Sequence, residues 1–158
     1  MIEIERRYIL SGLPDENIKY IFEIVQYYLN SPDKDIHRIR SSKENSITKY
    51  YETFKSKIDE MSCEEIETEI DEKKFNELKL KANKVISKKR YVYYYKNLKF
   101  EVDDFENGLI ICEVEIPNRD FEFSIPEGIL ENIVEEITGD YKYSNYKLAE
   151  DIKINNEE

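Results

Sequence analysis

The chain has 158 residues, 40% apolar and 37% charged, with four glycines and four prolines, the balance of one folded, charge-rich domain. A formal net charge of −11 excludes a general nucleic-acid binder, which needs a basic surface to displace counterions. Apolar runs such as LIIC at 109–112 are too short to span a bilayer, and MIEIERR at the start has no apolar signal region. The expected location is therefore the cytoplasm, with Cys63 and Cys112 as reduced thiols and the single histidine, His37, leaving no Cys/His zinc set.

In chain order, MIEIERRYIL alternates charged and apolar residues as a two-faced strand does. Leu13-Pro14-Asp15-Glu16 reads as a turn into a short helix, with Asp15 as N-cap and IKYIF as its body. IVQYYL (24–29) is β-rich and is closed by a turn at Asn30-Ser31-Pro32-Asp33. DIHRIRS (35–41) and ITKYYETFKSK (47–57) are strands around a turn at Lys43-Glu44-Asn45, and EEIETEI (64–70) alternates cleanly. In DEKKFNELKLKA (71–82) the spacing of Phe75, Leu78 and Ala82 and the acidic start predict a helix. VISKKRYVYYY (85–95), LKFEVDDF (98–105) and LIICEVEI (109–116) are strands, the last two joined through Glu106-Asn107-Gly108. GILENIVEEI after Pro126 is helix-like, and the polar TGDYKYSNYKLAED follows. The expectation is one mainly β (α+β) domain over 1–150, an antiparallel barrel with flanking helices, and an acidic tail over 151–158.

Parity carries more than any single strand. One face bears Glu3, Glu5 and Arg7; Arg38 and Arg40; Lys55 and Lys57; Glu65, Glu67 and Glu69; Lys88 and Arg90; Glu101 and Asp103; Glu113 and Glu115. The other bears Ile2, Ile4, Tyr8, Ile39, Phe54, Ile66, Tyr91, Val102, Val114 and Ile116. A charged strand face usually lies in water. Repeated on every long strand, nearly always fully charged and in both signs, it instead suits the inside of a closed barrel whose apolar exterior is covered by helices. Charges inside must be paired or must complete a ligand site. Carboxylates at i and i+2, about 6.7 Å apart along a strand, can converge from neighbouring strands on a hard divalent cation. Clustered Arg and Lys suit phosphate oxygens, and the two sets together suit polyphosphate chemistry.

These motifs resemble the CYTH superfamily, the triphosphate tunnel metalloenzymes, nearly from end to end. MIEIERRY resembles the N-terminal E-x-E-x-K motif, HRIR the R-x-R strand, YETFKSK a lysine-bearing strand and EEIETEI the middle E-x-E strand. KKRY, FEVDDFENGL and ICEVEI resemble the later basic, acidic and second E-x-E strands, and EITGDYKYSNYKLA the C-terminal signature of the bacterial inorganic triphosphatase branch. The resemblance implies an eight-stranded antiparallel tunnel and hydrolysis of triphosphates, inorganic triphosphate first and nucleoside triphosphates second, with Mg²⁺ or Mn²⁺. It implies Glu3, Glu5, Glu113 and Glu115 as metal ligands with Asp103 helping, and Arg7, Arg38, Arg40, Lys55, Lys88, Arg90 and Lys142 as substrate ligands. Glu3, Glu5, Glu115 and Arg7 would act in catalysis, and Glu65 and Glu67 would orient the basic groups. Arg7 stands where the motif has lysine, which keeps the charge but changes its shape.

The implied partner is a small anionic triphosphate, with no nucleic acid or membrane, and the chain could be a monomer or a homodimer. A class IV-type adenylate cyclase, a thiamine triphosphatase and a non-catalytic binder of polyphosphate or nucleotide remain the alternatives. His37, Cys112 and the Tyr91, Tyr93 and Tyr95 series have outward parity and are expected to pack, the tyrosines under a helix. Tyr94 and Cys63 have inward parity, and Tyr28 is a candidate modulator.

Overall fold

Strands with hairpin-scale connections dominate the computed structural model, which describes residues 1–31 and 35–152. Pro32 and Asp33 of the expected turn and residues 153–158 of the expected tail lie outside the described residues. The elements are β1 (Ile2–Leu10), β2 (Tyr20–Leu29), β3 (Ile36–Glu44), β4 (Ile47–Lys57), β5 (Ser62–Ile70), α1 (Glu72–Lys79), β6 (Lys84–Tyr95), β7 (Leu98–Phe105) and β8 (Ile110–Glu115). The shorter α2 (Glu127–Leu130), β9 (Ile133–Glu136), a 3-10 turn at Tyr141–Tyr143, α3 (Asn145–Leu148) and β10 (Glu150–Asp151) complete the chain.

The strand order β6-β2-β3-β4-β5-β1-β8-β7 closes through a β6–β7 pairing, giving an eight-stranded antiparallel barrel. The turns have the chemistry that tight hairpins demand: Lys96 and Asn97 both take positive φ between β6 and β7, and Gly108 has φ +91 between β7 and β8. β5 pairs with only Ile2–Ile4 of β1, and β9 takes over further along at Tyr8–Leu10. β10 adds to β6, so Asp151, expected to begin the tail, is still paired, with Lys84.

Two expected helices are corrected. IKYIF contributes to β2, which is already paired with β6 at Tyr20↔Val92. The helix-like GILENIVEEI is helical only at its start, and Ile133–Glu136 is strand. The four-residue spacing of Ile129, Ile133 and Ile137 mimics a helical stripe. Pairing with β1 wins, pinned by the Arg6 fork, whose Nε and Nη2 donate to Glu136 at 2.8 and 2.7 Å.

Outside the barrel, α1 begins at its cap Asp71, which accepts from Lys74 N, and buries Phe75 against Leu29, Ile39, Tyr27 and Tyr50. A second outer cluster holds Tyr8, Tyr93, Phe100, Val102, Cys112 and Val114. Its cover comes from Phe121, Phe123, Ile125 and Ile129, a mostly irregular segment ending in the short α2 in place of the helix expected over the tyrosines. A third cluster lies at the end of the charged face: Ile9, Ile86, Phe105 and Ile111 share the parity of Arg7, Lys88, Asp103 and Glu113, and pack with Ile137, Tyr143 and Leu148. It forms an apolar floor that the C-terminal segment completes.

Candidate active site

The register brings the charged positions of every long strand except β2 to one surface. Glu5 faces Glu115 and Arg7 faces Glu113 across β1–β8, Glu101 faces Glu113 across β7–β8, and Arg90 faces Asp103 across β6–β7. Around the other side Tyr28 faces Arg38, Arg38 faces Thr53, Thr53 faces Glu67 and Lys55 faces Glu65. Arg7, Arg38, Lys88 and Asp103 are buried, while the opposite face carries the outer clusters. The charges are therefore inside.

One part of this interior is short of positive charge. Burial, then Glu65 and Glu115, push the Glu3 carboxyl up to about 7. Burial, then Glu113, do the same for Glu5, and Glu115 is raised by burial and by Glu101 and Glu65. Glu113 is the exception: burial opposes its charge, but Arg7, Lys88 and Arg90 hold it below the usual carboxylate range. Crowded oxygen donors that retain protons suit a hard divalent cation, which would replace those protons. Among the described residues no three acidic, thiol or imidazole side chains are already gathered as a metal centre, so the donors would have to swing together.

The rest of the interior is rich in cations. Arg90 grips Asp103 in a fork, Nε to Oδ1 at 2.7 Å and Nη2 to Oδ2 at 3.0 Å, and reaches Glu101 at 3.4 Å. Lys88 Nζ lies 2.8 Å from Asp103 Oδ2 and donates to Asn145 Oδ1 at 2.9 Å. Burial works against the Asp103 charge, yet Arg90 and Lys88 hold its carboxyl well below the usual range, and burial pushes Lys88 down to about 8. Arg40 donates to Glu67, which also accepts from Thr53, and lies over the Tyr51 ring. Lys55 pairs with Glu65 at 3.4 Å, and Arg7 Nε donates to Glu113 at 3.0 Å. Among the described residues Arg7 Nη2, Arg38 Nε and Arg40 Nε are buried without a hydrogen-bond partner. Such orphaned donors are costly and suit an anion with several acceptor oxygens.

The CYTH domain profile matches residues 1–150. The chain belongs to the CYTH family. It is similar to the solved structure of the inorganic triphosphatase NE1496, at 29% identity over 93% of each chain with a TM-score of 0.62. It is similar also to a conserved hypothetical protein from Pyrococcus furiosus, at 26% identity over 82% of this chain and 84% of that one, with a TM-score of 0.61. HpAC1 from Hippeastrum, described with a dominant triphosphatase activity, shares the fold at 17% identity over 73% of this chain and 80% of its own, TM-score 0.58. No curated protein matches the chain.

Within this CYTH barrel a cavity of about 760 Å³ opens beside the charged interior, lined among others by Glu5, Arg7, Tyr28, Lys55, Met61 and Tyr146. Two expected site residues sit differently from the rest. Asp103 has both oxygens engaged by Arg90 and Lys88, so its carboxylate serves the cations rather than standing free for a metal. Lys142, on the 3-10 turn, is 68% exposed, with Asp140 at 3.9 Å, and does not line the cavity. Tyr94 is 54% exposed and packs edge-on against Tyr20. His37 lies outside, stacked on Phe54 with Nε2 2.7 Å from Glu52, a packing role as expected.

Tyr28, expected only as a modulator, is joined at the interior by Gln26, Thr53, Asn145 and Tyr146, which charge parity does not single out. Gln26 and Tyr28 are 1% exposed, and Gln26 donates to the Tyr28 hydroxyl. Their even parity in β2 was the available signal, hidden because that strand carries no charge at the matching positions. Asn145 and Tyr146 come from a short helix whose approach to the barrel no local pattern encodes.

Proposed function

We propose that the protein is a metal-dependent triphosphatase that hydrolyses inorganic triphosphate, with nucleoside triphosphates as a second substrate. The observation that carries this reading is the pairing, in one interior, of proton-retaining carboxylates with buried guanidinium donors that lack partners. The first set suits a divalent cation and the second a polyanion, which together describe a metal–triphosphate complex. The similarity to NE1496 favours inorganic triphosphate. The size of the cavity, with Tyr28, Tyr141 and Tyr146 in its lining, favours admitting an organic group as well.

Glu3, Glu5, Glu113 and Glu115 would hold Mg²⁺ or Mn²⁺. A bound divalent ion supplies neutralisation of phosphate charge and an acidified water. Arg7, Arg38, Arg40, Lys55 and Arg90 form the phosphate cradle, with Glu67, Glu65 and Asp103 fixing Arg40, Lys55 and Arg90 in place. Lys88 stands behind the cradle with its ammonium turned to Asp103 and Asn145, and Lys142, exposed beside Asp140, would meet the anion outside the cavity. Catalysis then rests on positioning and on fixed charge, which is what phosphoryl transfer to water requires.

The test is phosphate release from tripolyphosphate, pyrophosphate, ATP and thiamine triphosphate with Mg²⁺, Mn²⁺ or EDTA, alongside a cyclic-AMP assay. Metal-dependent cleavage of tripolyphosphate is expected to lead the panel. Cyclic AMP without phosphate release would make the protein a cyclase, and binding without turnover would make it a non-catalytic anion carrier.

A further inference from the structure

The triphosphatase reading gives the C-terminal segment a part only through Lys142 and the tyrosines of the cavity lining, although it also reaches the buried cations at one point. α3 and the short β10 after it are fixed against β2 and β6 from several directions. The Tyr146 ring meets Tyr28 edge-on at 5.3 Å and lies under Lys84 Nζ, while Glu150 and Asp151 pair with Val85 and Lys84. β6 is also the strand that carries Lys88 and Arg90. At the first residue of α3, Asn145 Oδ1 accepts from Lys88 Nζ.

We propose that Asn145 is a positioning residue of the triphosphate site, acting through Lys88 and Asp103 on the Arg90 fork; the inference rests on the triphosphatase reading. An ammonium has donors only, so it is the amide oxygen of Asn145 that must face it. The Lys88 side chain is 1% exposed, with Asp103 on one side, Asn145 on another and the Phe105 ring 5.4 Å away. An apolar side chain of similar size in place of the amide therefore leaves no room for water to reach the ammonium. Asp103 is shared, because the oxygen that meets Lys88 also accepts from Arg90 Nη2. A Lys88 ammonium released from Asn145 pulls on that oxygen and turns the guanidinium that the cradle presents. Docking of α3 and the aim of Arg90 are thus one event, and the C-terminal motif belongs to substrate binding.

The experiment is calorimetric binding of tripolyphosphate to the full chain in EDTA, with turnover under metal measured in parallel. Asn145→Leu, similar in size but without an acceptor, is expected to weaken binding about 10-fold. Asn145→Asp, which keeps the acceptor, should restore binding, and Lys147→Ala on the exposed side of α3 should leave it unchanged. In a Lys88→Met background Asn145→Leu should cost nothing further, a non-additivity that a purely structural helix anchor would not produce. The proposal is overturned if Asn145→Leu binds as wild type does, or if its cost is the same in both backgrounds. Should Asn145→Leu fail to fold, Asn145→Val, which also lacks an acceptor but keeps the volume, takes its place in the same cycle. A wild type that neither binds nor cleaves tripolyphosphate would instead remove the triphosphatase reading, and this inference with it.

Discussion

Two groups of carboxylates, Glu3, Glu5 and Glu115 on one side and Asp103 among the cations of β6 on the other, share one interior but stand in opposite electrostatic conditions. Glu3 and Glu5 hold protons to about 7 because burial and their acidic neighbours outweigh the cations within reach. Asp103, more deeply buried than either, is held ionised by Arg90 and Lys88 in spite of its burial. The contrast separates charges that complete each other from charges that await a ligand. A charged interior is thus part scaffold and part site, and pairing within the fold tells which is which.

The largest effect expected is on the unpaired side. Glu5→Gln and Glu115→Gln should each lower turnover about a thousandfold, the scale of losing a group that stabilises transition-state charge, with circular dichroism unchanged. Near-normal activity in either would break the comparison outright. Next comes the paired side, where Asp103→Asn leaves two buried cations without their anion. It should cost about 3 kcal/mol of stability in denaturant titration. A variant as stable as wild type would mean that the cations do not depend on that pair.

A smaller effect lies in pH. Glu3 and Glu5 have pKa values raised above their ordinary 4.5 to about 7, so the folded state binds more protons than the unfolded one in that window. Stability of the metal-free protein should then fall as pH rises from about 4.5 to 7, the opposite of the usual carboxylate trend. Asp103 and Glu113 are depressed, so their contribution is lost only on further acidification. Mn²⁺ or Mg²⁺ should therefore raise the unfolding midpoint more at pH 8 than at pH 5.5, by calorimetry or dye-reported melting. An equal rise at both would remove the carboxylates from the metal site. The smallest effect is Arg7→Lys, which keeps the partner charge for Glu113 but gives up the orphaned Nη2 donor; KM should rise about threefold with kcat nearly unchanged.

Much of the barrel was legible because alternation on β1, β3, β5 and β6–β8 repeats the same division into charged and apolar faces. β2 was cut short because its inward residues are Tyr20, Phe22, Ile24, Gln26 and Tyr28, which carry no charge and look like any apolar stretch. β9 is hidden because Ile133 falls at helical spacing between Ile129 and Ile137, and only the free edge of β1 beyond β5 decides for a strand. Within the site, the identities of the charged residues followed from parity. Their division of labour did not, since the fork on Asp103 and the amide over Lys88 depend on side chains meeting from strands and a helix far apart in the chain.

The divided edge of β1 bears on how the molecule is made. Glu5 N donates to Met61 O, Arg7 N to the Thr138 hydroxyl, and Ile137 N to Arg7 O, so the centre of the first strand is completed from two distant places. Its pairing with β8 comes from still other residues more than a hundred positions away. The segment carrying Glu5 and Arg7 is synthesised before every strand it pairs with, so it is laddered late. High contact order of this kind makes folding slow and leaves an unpaired edge exposed in the nascent chain. The alternating charges Glu3, Glu5 and Arg7 of that edge, which later face the barrel interior, meanwhile keep it from pairing with another copy of itself.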